Sequence, residues 1–138
     1  MKSLVKLMIV VFTLTSVAAC TGVNTVQATP IEMGKSIELN EGKDLVKLAV
    51  LATLSNEKAK QKKVTETSDG ITIIYSRSVS ALSWGQVGRV FIKPLGKNKT
   101  RVYIHSEKRS KFEITGEDTE SFEQRFLSGL EQAVKTKN

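Results

Sequence analysis

Val87-Gly88-Arg89-Val90-Phe91-Ile92-Lys93-Pro94 and Thr100-Arg101-Val102-Tyr103-Ile104-His105-Ser106 flank the turn-prone stretch Leu95-Gly96-Lys97-Asn98-Lys99. Both runs are rich in β-branched and aromatic residues, which suit a pleated, half-buried surface. A connection of this length falls within the range used by hairpins. Centring the pairing on Lys97 sets Val90 opposite Ile104 and Ile92 opposite Val102, making one apolar face. The other face then carries Arg89 beside His105, Phe91 beside Tyr103 and Lys93 beside Arg101. Alternation and register agree, so an antiparallel sheet is the frame on which the rest must pack.

Upstream, Ile71 to Arg77 is a further β-branched run. It follows Asp69-Gly70, a good hairpin turn, and Val64 to Thr67 suits the strand before that turn. Lys58 to Lys63 reads as a solvated edge strand or loop, because lysines protect exposed sheet edges. Ser78 to Gly88, small and polar around Trp84, either continues a strand or forms a loop with Trp84 folded onto the domain. Ile37-Glu38-Leu39 alternates and suits a short opening strand.

Two segments have helical spacing. Leu45, Leu48, Val50, Leu51, Ala52 and Leu54 follow Asn40, a candidate cap for a helix from about Lys43 through Thr53. Phe122, Phe126, Leu130, Ala133 and Val134 form a stripe downstream of Thr115-Gly116-Glu117-Asp118, which offers an N-cap and early carboxylates. Glu120 and Glu123 are expected on its solvated face. Both helices need an apolar surface and the sheet offers one. The expected fold is therefore α+β: a three- to four-stranded antiparallel sheet with an N-terminal and a C-terminal helix packed on one face. This order is similar to the helix-grip layout of small envelope lipoprotein domains, a likeness of topology without a shared motif.

The opening of the 138-residue chain has a different character. Lys2 and Lys6 precede the short apolar run Leu7 to Leu14, and Val17-Ala18-Ala19-Cys20 ends it with small residues. That is the layout of an export signal, and the apolar run is too short to span a bilayer. Val17-Ala18-Ala19-Cys20 resembles the lipobox of bacterial lipoproteins, a resemblance confined to the first 20 residues. It implies cleavage before Cys20, a diacylglyceryl group on its sulfur, and acylation (palmitate or a similar chain) of the new amine. Two or more acyl chains give stable anchoring where one does not. Thr21, in place of Asp, implies the outer membrane facing the periplasm in a Gram-negative cell. In a Gram-positive cell the outer face of the plasma membrane is implied. The expected division is signal peptide 1–19, lipidated flexible tether 20–36 and α+β domain 37–138.

Composition limits function. The net charge is +7, and with Lys2 and Lys6 removed 19 basic side chains stand against 14 acidic ones, about +5. That balance favours anionic lipid or polyanions but is too mixed with carboxylates to indicate nucleic acid. Cys20 is the only cysteine and His105 the only histidine, which leaves no zinc-type ligand set and no expected metal or cofactor. No nucleophile-elbow or Ser-x-x-Lys context is present. The candidate binding face is Arg89, Phe91, Lys93, Arg101, Tyr103 and His105, with cations flanking aromatic rings. The expectation is a membrane-anchored, non-enzymatic interaction module with an envelope protein, glycan or lipid partner. A small lipid- or anion-binding module is the alternative, and any enzyme would have to start from His105.

Overall fold

A computed structural model describes residues 22–77, 85–110 and 118–137. The export signal, Cys20, Trp84 and Thr115 lie outside the described residues. In chain order the elements are α1 (Val23–Ala28), a 3-10 turn (Ile31–Met33), β1 (Lys35–Leu39), α2 (Lys43–Asn56) and β2 (Ala59–Thr67). They continue with β3 (Gly70–Arg77), β4 (Gln86–Gly96), β5 (Lys99–Lys108) and α3 (Thr119–Lys135).

The hairpin that frames the fold has the expected register: Arg89 pairs with His105, Val90 with Ile104, Phe91 with Tyr103, Ile92 with Val102 and Lys93 with Arg101. The turn is tighter than expected, because the strands run to Gly96 and Lys99 with an irregularity between Pro94 and Gly96. The sheet has five antiparallel strands in the order β1-β5-β4-β3-β2, where three or four were expected. The two edge strands, expected over Ile37–Leu39 and Val64–Thr67, are both longer than expected. Lys35 to Leu39 pairs with β5, and Lys58–Lys63 resolves into strand from Ala59 onward, paired with β3. A bulge between Gln61 and Lys63 and a run of lysines mark this second edge, two devices that discourage edge-to-edge pairing.

Helices α2 and α3 bury against one face of the sheet. The α2 contacts are Val46, Ala49, Val50, Thr53 and Leu54, a true i, i+3, i+4, i+7, i+8 stripe. The sequence row through Leu48 and Ala52 is therefore not the buried one, and Leu48 is exposed. Thr53 is accommodated inside because its hydroxyl donates to the Ala49 carbonyl at 2.8 Å. The cap is Gly42 rather than Asn40 and makes no side-chain bond. After β1 ends at Leu39, the chain needs two more residues to turn onto the core face, and Thr100 Oγ1 fixes that turn by donating to the Glu41 carbonyl at 2.7 Å.

On α3, Phe122, Phe126, Leu130 and Val134 are buried as expected, and the cap is Asp118. These residues meet Ile71, Ile73, Tyr75, Val90, Ile92, Val102 and Ile104 in one core. Tyr75 fits beside Gly88 because a β-carbon there would overlap its ring. Glu123 departs from the expected solvated face. It is buried, and its Oε1 accepts the Ser106 N–H at 2.7 Å.

The flexible tether expected over 20–36 is also corrected over its described part. Residues from Val23 onward form α1, the 3-10 turn and the start of β1, and they lie against the sheet face opposite α2 and α3. Val26 is fully buried there, although the segment lacks a long apolar run. Side-chain hydrogen bonds from Arg89 of β4 fix it.

Candidate functional site

Strand alternation puts Arg89, Phe91 and Lys93 of β4 on the same side as Arg101, Tyr103 and His105 of β5. They are neighbours, but they do not form one open face. Arg89, only 5% exposed, is turned under the segment that follows α1. Its Nη1 donates to the Val26 carbonyl at 2.9 Å and to that of Thr29, and its Nη2 to that of Pro30 at 3.1 Å. Among the described residues no carboxylate forms an ion pair with it. Burial lowers its pKa, and the field of Glu32 opposes the shift. Phe91 is buried as well, with its ring 6.4 Å from that of Tyr103.

Arg101 is tied to β1. It pairs with Glu38, which also binds Lys99 at 3.0 Å, and it donates to the Tyr103 hydroxyl at 3.4 Å. The Tyr103 and Glu38 contacts raise the Arg101 pKa, and the Arg101 and Lys99 hydrogen bonds hold the Glu38 carboxyl below its usual range. Glu38 thus offsets the repulsion between Lys93 and Arg101 that the hairpin register creates. Lys93 itself is exposed. His105 Nε2 lies 3.0 Å from Glu107 Oε1, and Thr29 Oγ1 donates to the same oxygen at 3.4 Å. The histidine therefore has a carboxylate partner, and among the described residues no thiol or hydroxyl hydrogen-bonds to it.

On the core side of β5, Tyr75 Oη and Ser106 Oγ are 2.5 Å apart. Desolvation raises the Glu123 pKa. The Ser106 N–H and the fields of His105 and Lys35 oppose that rise, and Glu120 adds to it. Burial raises the Tyr75 pKa too, so its phenol stays protonated. This cluster is enclosed by Phe122 and the sheet and braces α3 against β5.

The concavity on the outer face was not apparent from the sequence. It is an open groove of about 470 Å³ between the segment after α1 and strands β2 and β3, lined among others by Gln27, Thr29, Pro30, Lys63, Thr72 and Arg89. No sequence spacing connects Lys63 to Arg89. Only β2–β3–β4 adjacency and the docking of residues 27–31 bring them to one cleft. Its volume lies in the range of small-molecule sites.

Among the described residues no three His, Cys, Asp or Glu side chains group as metal ligands, and no helix is long and apolar enough to cross a membrane. No protein-family model matches the chain, and no curated protein is significantly similar to it.

Proposed function

We propose that this chain is a membrane-anchored envelope lipoprotein whose α+β domain acts as a non-enzymatic interaction module. The observation that carries the proposal is the sequence itself: Lys2 and Lys6, the apolar run Leu7 to Leu14, and Val17-Ala18-Ala19-Cys20 in that order. The lipid on Cys20 anchors the domain, at the outer membrane facing the periplasm in a Gram-negative cell and at the outer face of the plasma membrane otherwise. The packing supports a domain held close to the bilayer. Its first described elements are fixed to the sheet by Arg89 rather than trailing from it, so few residues separate Cys20 from the folded body.

The test is fractionation of cells expressing the native chain or Cys20→Ser. The native product sediments with membranes and partitions into detergent. The variant loses processing and leaves the detergent phase. A variant that partitions and migrates as the native protein does contradicts the proposal.

A second reading, a small lipid- or anion-binding module, is supported by the groove between residues 27–31 and β2–β3. Lys63 and Arg89 give that groove a basic lining.

A further inference from the structure

We propose that the groove between Lys63 and Arg89 is a binding site for a phosphate-type anion, a phosphomonoester or phosphodiester. The proposal deepens the second reading above by naming the ligand class and the residues that hold it. It rests on membrane anchoring only where a lipid headgroup is the source of the phosphate.

A guanidinium carries five N–H groups in a fixed planar fork. In Arg89 both Nη1 hydrogens and one Nη2 hydrogen go to the carbonyls of Val26, Thr29 and Pro30. The Nε–H and the second Nη2–H have no partner among the described residues. Adjacent N–H groups on a guanidinium edge match the oxygens of a phosphate, and such bonds are stronger than neutral ones. The carbonyl contacts hold the guanidinium in place before any ligand arrives, so little side-chain entropy remains to be lost on binding.

Charge points the same way. Arg89 is buried, lines the groove and has no ion-pair partner among the described residues. A buried cation in that state gains more from an incoming anion than a solvated one does. Lys63 lines the same groove, is exposed, and has no salt bridge among the described residues. Lys60 and Lys62 sit beside it on the edge strand. Among the described residues, Glu32 is the one carboxylate whose field reaches Arg89. The hydroxyl of Thr72 also lines the groove and can donate to a further phosphate oxygen.

The class of ligand follows from these groups. A carboxylate would satisfy one edge of Arg89, but the groove offers donors from two sides, which suits a tetrahedral anion. Lys63 and Arg89 in the lining argue for an anionic occupant over a bare acyl chain. An anionic phospholipid headgroup and a free phosphate share this chemistry, and experiment separates them.

The full chain in nonionic detergent micelles is titrated with inorganic phosphate in a calorimeter. In parallel, amide-hydrogen exchange is followed in micelles doped with phosphatidylglycerol or with phosphatidylcholine. Lys63→Ala is the test variant because its site is exposed and the fold does not depend on it. Lys97→Ala, at the tip of the β4–β5 hairpin, is the control. If free phosphate is the ligand, inorganic phosphate binds, Lys63→Ala weakens it about tenfold, as expected for one charge-assisted hydrogen bond, and Lys97→Ala leaves it unchanged. If the headgroup is the ligand, phosphatidylglycerol but not phosphatidylcholine slows exchange over 27–31 and 63–72, and Lys63→Ala abolishes that protection. No binding in either arm, or binding that both lysine variants weaken alike, overturns the proposal. Anchoring is read separately through Cys20→Ser, so a failed groove leaves the lipoprotein reading standing. An unlipidated chain still leaves the free-phosphate arm decisive.

Discussion

Arg89 is the residue on which the outer face depends. A charged side chain at that burial is destabilising unless its donors are used, and three backbone carbonyls take three of its five N–H groups. Arg89→Met keeps the length and removes the donors. It should lower unfolding stability by about 2–4 kcal/mol, the scale of losing hydrogen bonds to a charged group, and expose residues 22–34 to protease. Urea denaturation with timed proteolysis measures both, and an unchanged midpoint with an intact segment contradicts the role of Arg89 in holding residues 26–30 to the sheet. The sequence placed Arg89 beside His105 correctly because cross-strand register is local. It did not show the burial, since the covering segment lies some sixty residues earlier and lacks an apolar pattern. The same blindness put Glu123 on a solvated face.

Glu123 also makes stability depend on pH. Its folded-state pKa is raised above the ordinary carboxyl value of 4.5. The folded protein therefore holds the proton more tightly than the unfolded chain, and stability falls as pH rises from about 4.5 through the raised value. Glu123→Gln removes that dependence while its amide oxygen still accepts the Ser106 N–H. The variant's melting temperature should gain on the native one as pH goes from 4.5 to 7. A difference between the two that stays constant with pH would remove Glu123 as the cause.

At the level of elements, what the sequence revealed depended on whether a segment's partner was nearby in the chain. The β4–β5 pairing register and the apolar stripe of α3 were legible, because 2-fold and 3.6-fold periodicities are local. Helix α2 was located, but its buried stripe was rotated by one position, since Leu48 is as apolar as the residues that pack. Strand β1 was seen as only three residues, because its ladder partner β5 lies far along the chain. Strand β2 was ambiguous because its exposed lysines serve an edge, not a core. That role predicts a specific phenotype. Replacing Lys60, Lys62 and Lys63 together by Thr should change unfolding stability by less than about 1 kcal/mol, as is usual at exposed positions, while light scattering detects association through the unprotected edge. A monodisperse triple variant would show that the bulge alone protects the strand.

Over the whole molecule, the sheet separates two environments. One face carries an apolar core closed by α2 and α3. The other carries a thin cover, α1 with its buried Val26 and the segment after it over Arg89, with polar contacts and an open groove beside it. The candidate site was half legible. The six hairpin residues are indeed neighbours, but β1 and the first helix divide them into a latch, an aromatic pair, a charge cluster with Glu38 and a His105–Glu107 pair. The groove itself required the fold.

The proposed role of this domain depends on the proposed lipidation of Cys20. The intact mass of the native chain, extracted from membranes with detergent, tests that lipidation most directly. The expected product begins at Cys20 and carries the added mass of a diacylglyceryl group and one further acyl chain. A product that retains residues 1–19, or one that begins at Cys20 with an unmodified thiol, contradicts it.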